Sequence, residues 1–196
     1  AYPVMLSETR RLNVPIIGGG DDFPYAIELD RPGQVDQAVA ALRGRHRVGQ
    51  ITWDSEASAI VQRFRRRVTE HGMSIPDGAI QSGVHPSLPD AGAELTRRVL
   101  RAAPQIDALY ISDECYRESA CIALIQSGRI PGQDVELVCA GNRGVLPDPR
   151  LVCTLVEFDL DETVAVHRRI MEALLAGQRE VPAMTLVPAR TRRISG

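Results

Sequence analysis

The sequence predicts an α/β fold in which parallel strands are flanked by helices. Short apolar runs bounded by turn residues alternate with helical patterns along the chain. One strand–helix–strand unit is complete, with a strand at Ala108–Ile111, a helix over residues 116–127 and a strand over 135–139. An apolar run of Val, Leu, Ile and Tyr is typical of a strand buried on both faces, and the helix supplies the crossover, so these strands are predicted to be parallel.

The N-terminal residues predict a helix that ends near Asn13, then a strand over residues 14–17 and a turn at residues 18–22. The triple glycine of this turn lacks the lysine and the serine or threonine of a Walker loop, and it lacks G-x-G-x-x-G spacing. We therefore interpret it as a flexible turn or the edge of a cleft.

The alternation continues to the C-terminus without repeats or low-complexity tracts. The helices are predicted from apolar residues on one face. In the helix at 32–42, for example, these residues are Val35, Ala38, Val39 and Leu42. The remaining predicted strands are 25–29, 48–52, 79–82, 154–157 and a closing strand at 184–195, and the remaining helices are 32–42, 57–72, 91–102 and 161–175.

Polar and aromatic residues follow several strands, at the edge where open parallel sheets bind ligands. Trp53 is the only tryptophan, and with Asp54 it follows the strand at 48–52. Its ring could stack on a sugar or fill the space between two helices. His85 follows the next strand and is either a hydrogen-bonding residue of a cleft or a surface loop residue.

Two further strand ends carry candidate residues. Asp113 and Glu114 follow Ala108–Ile111, and Asn142 lies in a predicted loop after residues 135–139. Asp113 could face a ligand or cap the following helix by accepting a backbone N–H.

Composition argues against several function classes. Hydrophobic residues make up 44% and charged residues 24% of the 196 residues, which is ordinary for a globular protein. The net charge of −2 gives no whole-chain reason to expect direct nucleic-acid binding. The sequence has no run long and apolar enough for a membrane span and no recognisable leader, so we expect an intracellular protein.

No enzyme, metal or cofactor is predicted. The chain lacks G-x-S-x-G and H-E-x-x-H motifs. None of its four cysteines has C-x-x-C spacing, so neither a zinc site nor a redox pair is indicated. We expect these cysteines to be small buried residues, namely Cys115, Cys121, Cys139 and Cys153.

An ordered set of segments resembles the effector-binding domain of the LacI/GalR family of bacterial transcription regulators. The set includes the Ser112-Asp113-Glu114 turn and a C-terminal strand that ends in arginines and Ser195. The other matching segments are residues 43–51, the helix ending at Gly128, residues 130–135 and residues 147–155.

The resemblance implies a two-lobed, periplasmic-binding-protein-like fold with a small effector bound between the lobes. Residues 1–25 and 154–180 would belong to the N-terminal lobe, and residues 26–153 and 181–196 to the C-terminal lobe. The first lobe is expected to be incomplete, and no DNA-reading helix-turn-helix is recognised in this sequence.

The resemblance also carries candidate site residues. Asp113, Glu157 and the Trp53 loop match positions that face the effector in the family. Two departures stand out: Ile60 replaces an arginine that usually clamps the effector, and Gly141 replaces an aspartate. The complete set of candidate effector-binding residues is Trp53, Asp54, His85, Asp113, Glu114, Asn142 and Glu157.

The function that the resemblance implies is effector sensing and dimerisation. A sugar or related metabolite would control operator binding by a DNA-reading domain absent from this chain, in a cytoplasmic homodimer. The several carboxylates expected in the cleft hint at a cationic or amine-bearing effector. The alternative function is that of a sugar-type solute-binding protein of a transporter, which shares the two-lobed architecture.

Overall fold

The computed structural model describes residues 2–20, 22–144, 152–178 and 180–194. Over these residues helices and strands alternate in the order that the sequence predicts. The elements are α1 (Tyr2–Arg11), β1 (Ile17–Gly18), β2 (Tyr25–Leu29), α2 (Arg31–Ala41), β3 (Val48–Ile51), α3 (Ala59–Glu70), β4 (Ile80–Gln81), α4 (Ala91–Ala102), β5 (Ala108–Ile111), α5 (Glu114–Gln126), β6 (Glu136–Asn142), β7 (Cys153–Phe158), α6 (Leu160–Leu175), β8 (Met184–Val187) and β9 (Ala189–Ile194).

The chain divides into two compact units. The first contains residues 1–30 and 158–188, and the second contains residues 31–157 and 189–196. These boundaries lie further along the chain than the predicted ones at residues 25, 153 and 180. The difference arises because β2 pairs with β8 within the first unit, whereas β7 joins the sheet of the second unit.

The first unit is built on a three-stranded sheet with the order β1-β2-β8, and both strand pairs are parallel. Ile27, Ile170 and Val187 form its buried apolar cluster. Helix α6 begins where the Asp159 side chain accepts hydrogen bonds from the backbone N–H groups of Asp161 and Glu162. This cap satisfies two of the N–H groups that a helix start leaves without partners.

The second unit is built on a six-stranded sheet with the order β4-β3-β5-β6-β7-β9. Strand β3 pairs in parallel with β4 and β5, and β5 pairs in parallel with β6. Every residue of β3 and β5 is buried, which confirms that these strands are covered on both faces. On one face Leu109 and Ile111 pack in a core with residues of α4 and α5, and on the other Tyr110 stacks on Phe64 of α3 with ring centroids 5.5 Å apart.

Helices α4 and α5 pack with their backbones very close together. A Cβ atom placed on Gly92 of α4 would lie 2.0 Å from the backbone oxygen of Tyr116 in α5. Only glycine permits this approach. The contact positions the first turn of α5, which lies directly after the carboxyl end of β5.

Four local predictions were wrong. The strand predicted at residues 14–17 is reduced to β1 at Ile17–Gly18, and residues 14–16 form no regular structure. Asn142 lies in β6 and not in a loop, because the strand continues past Cys139. The closing strand at 184–195 is divided at Pro188 into β8 and β9, which belong to different sheets; proline has no backbone N–H with which to continue a ladder. Cys115 is exposed, because the first turn of α5 turns it towards solvent.

Some predicted features lie outside the described residues, namely Asp21, the matching segment at 147–151 and Ser195. Among the described helices, none combines the length and the apolar character needed to cross a membrane.

Candidate functional site

The aromatic part of the candidate site lies where β3 and β4 end. The rings of Trp53 and His85 meet edge to face, with centroids 4.7 Å apart and an angle of 75° between their planes. This geometry is the one that aromatic rings prefer. Trp53 nevertheless remains 51% exposed, so the structure supports its indole on one side and leaves much of it open.

The His85 loop is held in place by two further contacts. The Ser87 N–H donates to His85 Nδ1 at 3.2 Å, and the Ser87 hydroxyl oxygen lies 2.7 Å from the same nitrogen. The Tyr116 hydroxyl donates to the Val84 carbonyl oxygen at 2.6 Å. This second bond connects the first turn of α5 to the loop that supports Trp53.

Asp54 is engaged by a cation at the start of α2. Arg31 Nη2 lies 2.6 Å from Asp54 Oδ2, and the Asp54 N–H donates to Thr52 Oγ1 at 3.0 Å. The Arg31 side chain is half exposed, whereas that of Asp54 is mostly covered. The sequence placed Asp54 at the site but did not indicate its pairing with Arg31.

Asp113 and Glu114 have different roles at the start of α5. Asp113 Oδ1 accepts the N–H of Cys115 at 2.9 Å, so the capping interpretation of this residue is confirmed. Glu114 instead reaches the end of β6, where Oε2 accepts the Asn142 N–H at 2.7 Å and Oε1 accepts Asn142 Nδ2 at 3.2 Å. Glu114 and Asn142 are therefore brought together, as neighbouring strand ends allow.

Glu157 lies at the end of β7 and is only 5% exposed. Both of its carboxylate oxygens accept hydrogen bonds from Arg192 of β9, at 3.0 Å from Nε and 3.1 Å from Nη2. This bidentate pairing raises the pKa of the Arg192 guanidinium. Sequence reasoning had not connected these two residues.

Arg117 is a charged residue of α5 that sequence reasoning missed. It is 6% exposed, and the described part of the chain offers its guanidinium neither a hydrogen bond nor an ion pair. A Cβ atom placed on Gly141 would lie 3.0 Å from Glu114 Oε2 and 3.9 Å from Arg117 Nη1. The burial of Arg117 could have been predicted from helical spacing, because Arg117 lies on the same buried face of α5 as Ala120, Cys121 and Leu124.

Comparisons with known proteins establish the fold. No family model matches the chain, and no curated protein sequence matches it. Solved structures do match: a complex of the transcriptional regulator CelR with cellobiose is 22% identical with a TM-score of 0.73, and a LacI-family regulatory protein from Chloroflexus aggregans is 18% identical with a TM-score of 0.78. This chain has the periplasmic-binding-protein-like fold of LacI-family effector domains.

The matches differ in how much of each protein they cover. The alignments cover 96% of this chain but 61% of the CelR chain, and 97% of this chain with 72% of the Chloroflexus protein. The periplasmic binding protein of an arabinose ABC transporter from Shewanella sp. ANA-3, bound to arabinofuranose, has the same fold, with 17% identity, a TM-score of 0.74 and coverage of 98% and 69%. The fold prediction from the sequence is therefore confirmed.

Three of the four cysteines lie in the core of this LacI-like fold. Cys121, Cys139 and Cys153 are buried in the cluster between the sheet and helices α4 and α5. Burial raises the pKa of the Cys121 thiol to about 12, and a hydrogen bond with Cys153, together with burial, raises that of Cys139. Within the described ranges, no group of three His, Cys, Asp or Glu side chains is placed to hold a metal ion.

Proposed function

We propose that this chain is the effector-sensing domain of a LacI-type transcription regulator. In this proposal it binds a sugar at the carboxyl edge of the six-stranded sheet and acts as a cytoplasmic homodimer by binding and not by catalysis. Operator DNA is contacted by a separate DNA-reading domain. The fold shared with CelR and with other LacI-family regulators supports this assignment.

The observation that carries the proposal is the half-exposed indole of Trp53, held by His85 at a strand end. An aromatic ring fixed in this way offers an apolar surface on which the C–H face of a sugar can stack. Glu114 follows β5, which neighbours β3, and Asn142 ends the next strand, β6; together they supply acceptors and donors for sugar hydroxyls. A ligand that binds one conformation of the domain more tightly than another then shifts their populations.

The test uses the fact that Trp53 is the only tryptophan. Its fluorescence is titrated with cellobiose, lactose, L-arabinose and glucose, and thermal melts are recorded in parallel. We expect a saturable change in emission with at least one sugar and a rise in melting temperature, because a ligand that binds only the folded state stabilises it. The saturating sugar identifies the ligand class.

Two variants make the thermal measurement specific. Trp53→Ala is expected to abolish the rise in melting temperature while the protein still unfolds cooperatively. Leu88→Ala is the matched control, because Leu88 is a 54% exposed apolar residue near His85 in the same loop. If no sugar changes the emission, or if Trp53→Ala responds to sugar as the wild type does, the proposal is wrong.

A second candidate function is that of a solute-binding protein, which the likeness to the arabinose-binding protein favours. The two candidates differ in the assembly that they require. A regulator of this type acts as a homodimer, whereas a solute-binding protein needs no second copy. Sedimentation equilibrium of the chain with and without the bound sugar distinguishes them: a dimer supports the regulator and a monomer favours the transport protein.

A further inference from the structure

Arg117 is a buried charged residue that has no hydrogen-bond or ion-pair partner among the described residues. Arg117 is only 6% exposed. Removing a guanidinium from water without pairing it is costly. A buried guanidinium that no described group pairs, at the edge where the proposed function places a ligand, is a candidate to pair with that ligand.

Two of the four carboxylates predicted for the site are paired with cations, and the other two are hydrogen-bonded to neutral groups. Asp54 pairs with Arg31, Glu157 pairs with Arg192, and Asp113 caps α5. Both oxygens of Glu114 accept hydrogen bonds from Asn142. Asp113 and Glu114 accept their hydrogen bonds from neutral N–H groups and therefore keep their negative charge, whereas Asp54 and Glu157 are each paired with an arginine.

Gly141 brings the end of β6 close to both Glu114 and Arg117, and a Cβ atom there would already lie 3.0 Å from Glu114 Oε2. Gly141 has no side chain at the position where a Cβ atom would lie 3.9 Å from Arg117 Nη1. The neighbouring Asn142 and Glu114 add hydrogen-bonding groups to these surroundings.

We infer that Arg117 binds a negatively charged group of the effector, so that the ligand class is an acidic sugar bearing a carboxylate or a phosphate. A guanidinium presents a planar set of donors that matches either group with two parallel hydrogen bonds. Arg117 would contact the effector from α5, whereas the resemblance places an effector-binding arginine at the position of Ile60 in α3. This inference rests on the proposed function and specifies its ligand.

The experiment compares ligands that share one ring and differ in charge. Galactose, galacturonate and galactose 6-phosphate are titrated by Trp53 fluorescence and by isothermal calorimetry, with inorganic phosphate as a probe without a ring. We expect one of the acidic sugars to bind at least about 30-fold more tightly than galactose, because breaking a buried charge pair typically has that effect or more. Comparing galacturonate with galactose 6-phosphate shows whether the acidic group that binds is a carboxylate or a phosphate.

Substitutions of Arg117 test whether this residue supplies the preference. Arg117→Met removes the charge and keeps much of the length, and it is expected to reduce acidic-sugar affinity about 30-fold or more and galactose affinity by much less. The ligand-free Arg117→Met protein should melt at a higher temperature than wild type, because an unpaired buried charge has been removed. A merely structural arginine would give the opposite shift. Arg117→Gln serves if the methionine variant does not fold, and Arg117→Lys should retain part of the preference.

The outcomes separate this inference from the proposed function. If galactose and its acidic forms bind equally and Arg117→Met changes none of them, the inference is overturned while sugar sensing stands. If no sugar changes Trp53 emission but phosphate binds in an Arg117-dependent manner by calorimetry, the anion site is supported and the proposed sugar function fails. If neither sugars nor phosphate bind, both are overturned.

Discussion

Replacing Gly92 with alanine is expected to force α4 and α5 apart. The added Cβ would lie 2.0 Å from the Tyr116 backbone oxygen and 2.7 Å from its carbonyl carbon. Non-bonded heavy atoms normally stay about 3.5 Å apart or more. Both groups at this contact belong to helical backbones, so relief requires movement of a whole helix and not of a flexible side chain.

The magnitude follows from two opposing effects. Overpacking a well-packed core typically costs about 1–3 kcal/mol, and a backbone contact belongs at the upper end of that range. Alanine is favoured over glycine within a helix by about 1 kcal/mol. The net loss is about 2 kcal/mol, which corresponds to a fall in melting temperature of about 4–8 °C for a chain of this size.

The assay is thermal and urea unfolding followed by circular dichroism, with Gly141→Ala as the matched control. The control adds the same methyl group, but its tightest contact is Glu114 Oε2 at 3.0 Å, a side-chain atom that accepts the Asn142 N–H and can shift without moving a helix. We expect the control to unfold close to the wild type. A Gly92→Ala protein that melts at or above the wild-type temperature would show that the helices adjust freely and would refute this account of their packing.

Two further outcomes are expected from the buried groups. Glu157→Gln should lower the free energy of unfolding by about 1–2 kcal/mol, because it leaves the half-exposed Arg192 without its charged partner, and urea denaturation that shows no loss would contradict this. A thiol reagent should modify Cys115 in the native protein and all four cysteines only after unfolding. Burial and the neighbouring Asp113 raise the pKa of Cys115, so its reaction should still accelerate above pH 9; rapid native modification of Cys139 would argue against the described core.

Local sequence pattern was sufficient for the order and type of the elements. The apolar run at Ala108–Ile111 predicted a strand covered on both faces, and the structure buries all four of its residues. Asp113 was recognised as a possible cap, and Trp53 was placed at a strand end. These features depend on residues within a few positions of one another, so periodicity and turn chemistry suffice to predict them.

Contacts between distant residues were decided by the tertiary structure. Glu157 and Arg192 meet across 35 positions, Glu114 and Asn142 across 28, and the run around Pro188 is shared between two sheets. The burial of Arg117 beside Gly141 likewise depends on how closely α5 packs against β6. Sheet register and helix packing arise from the combined shape of many side chains, so no short segment encodes which charges are paired.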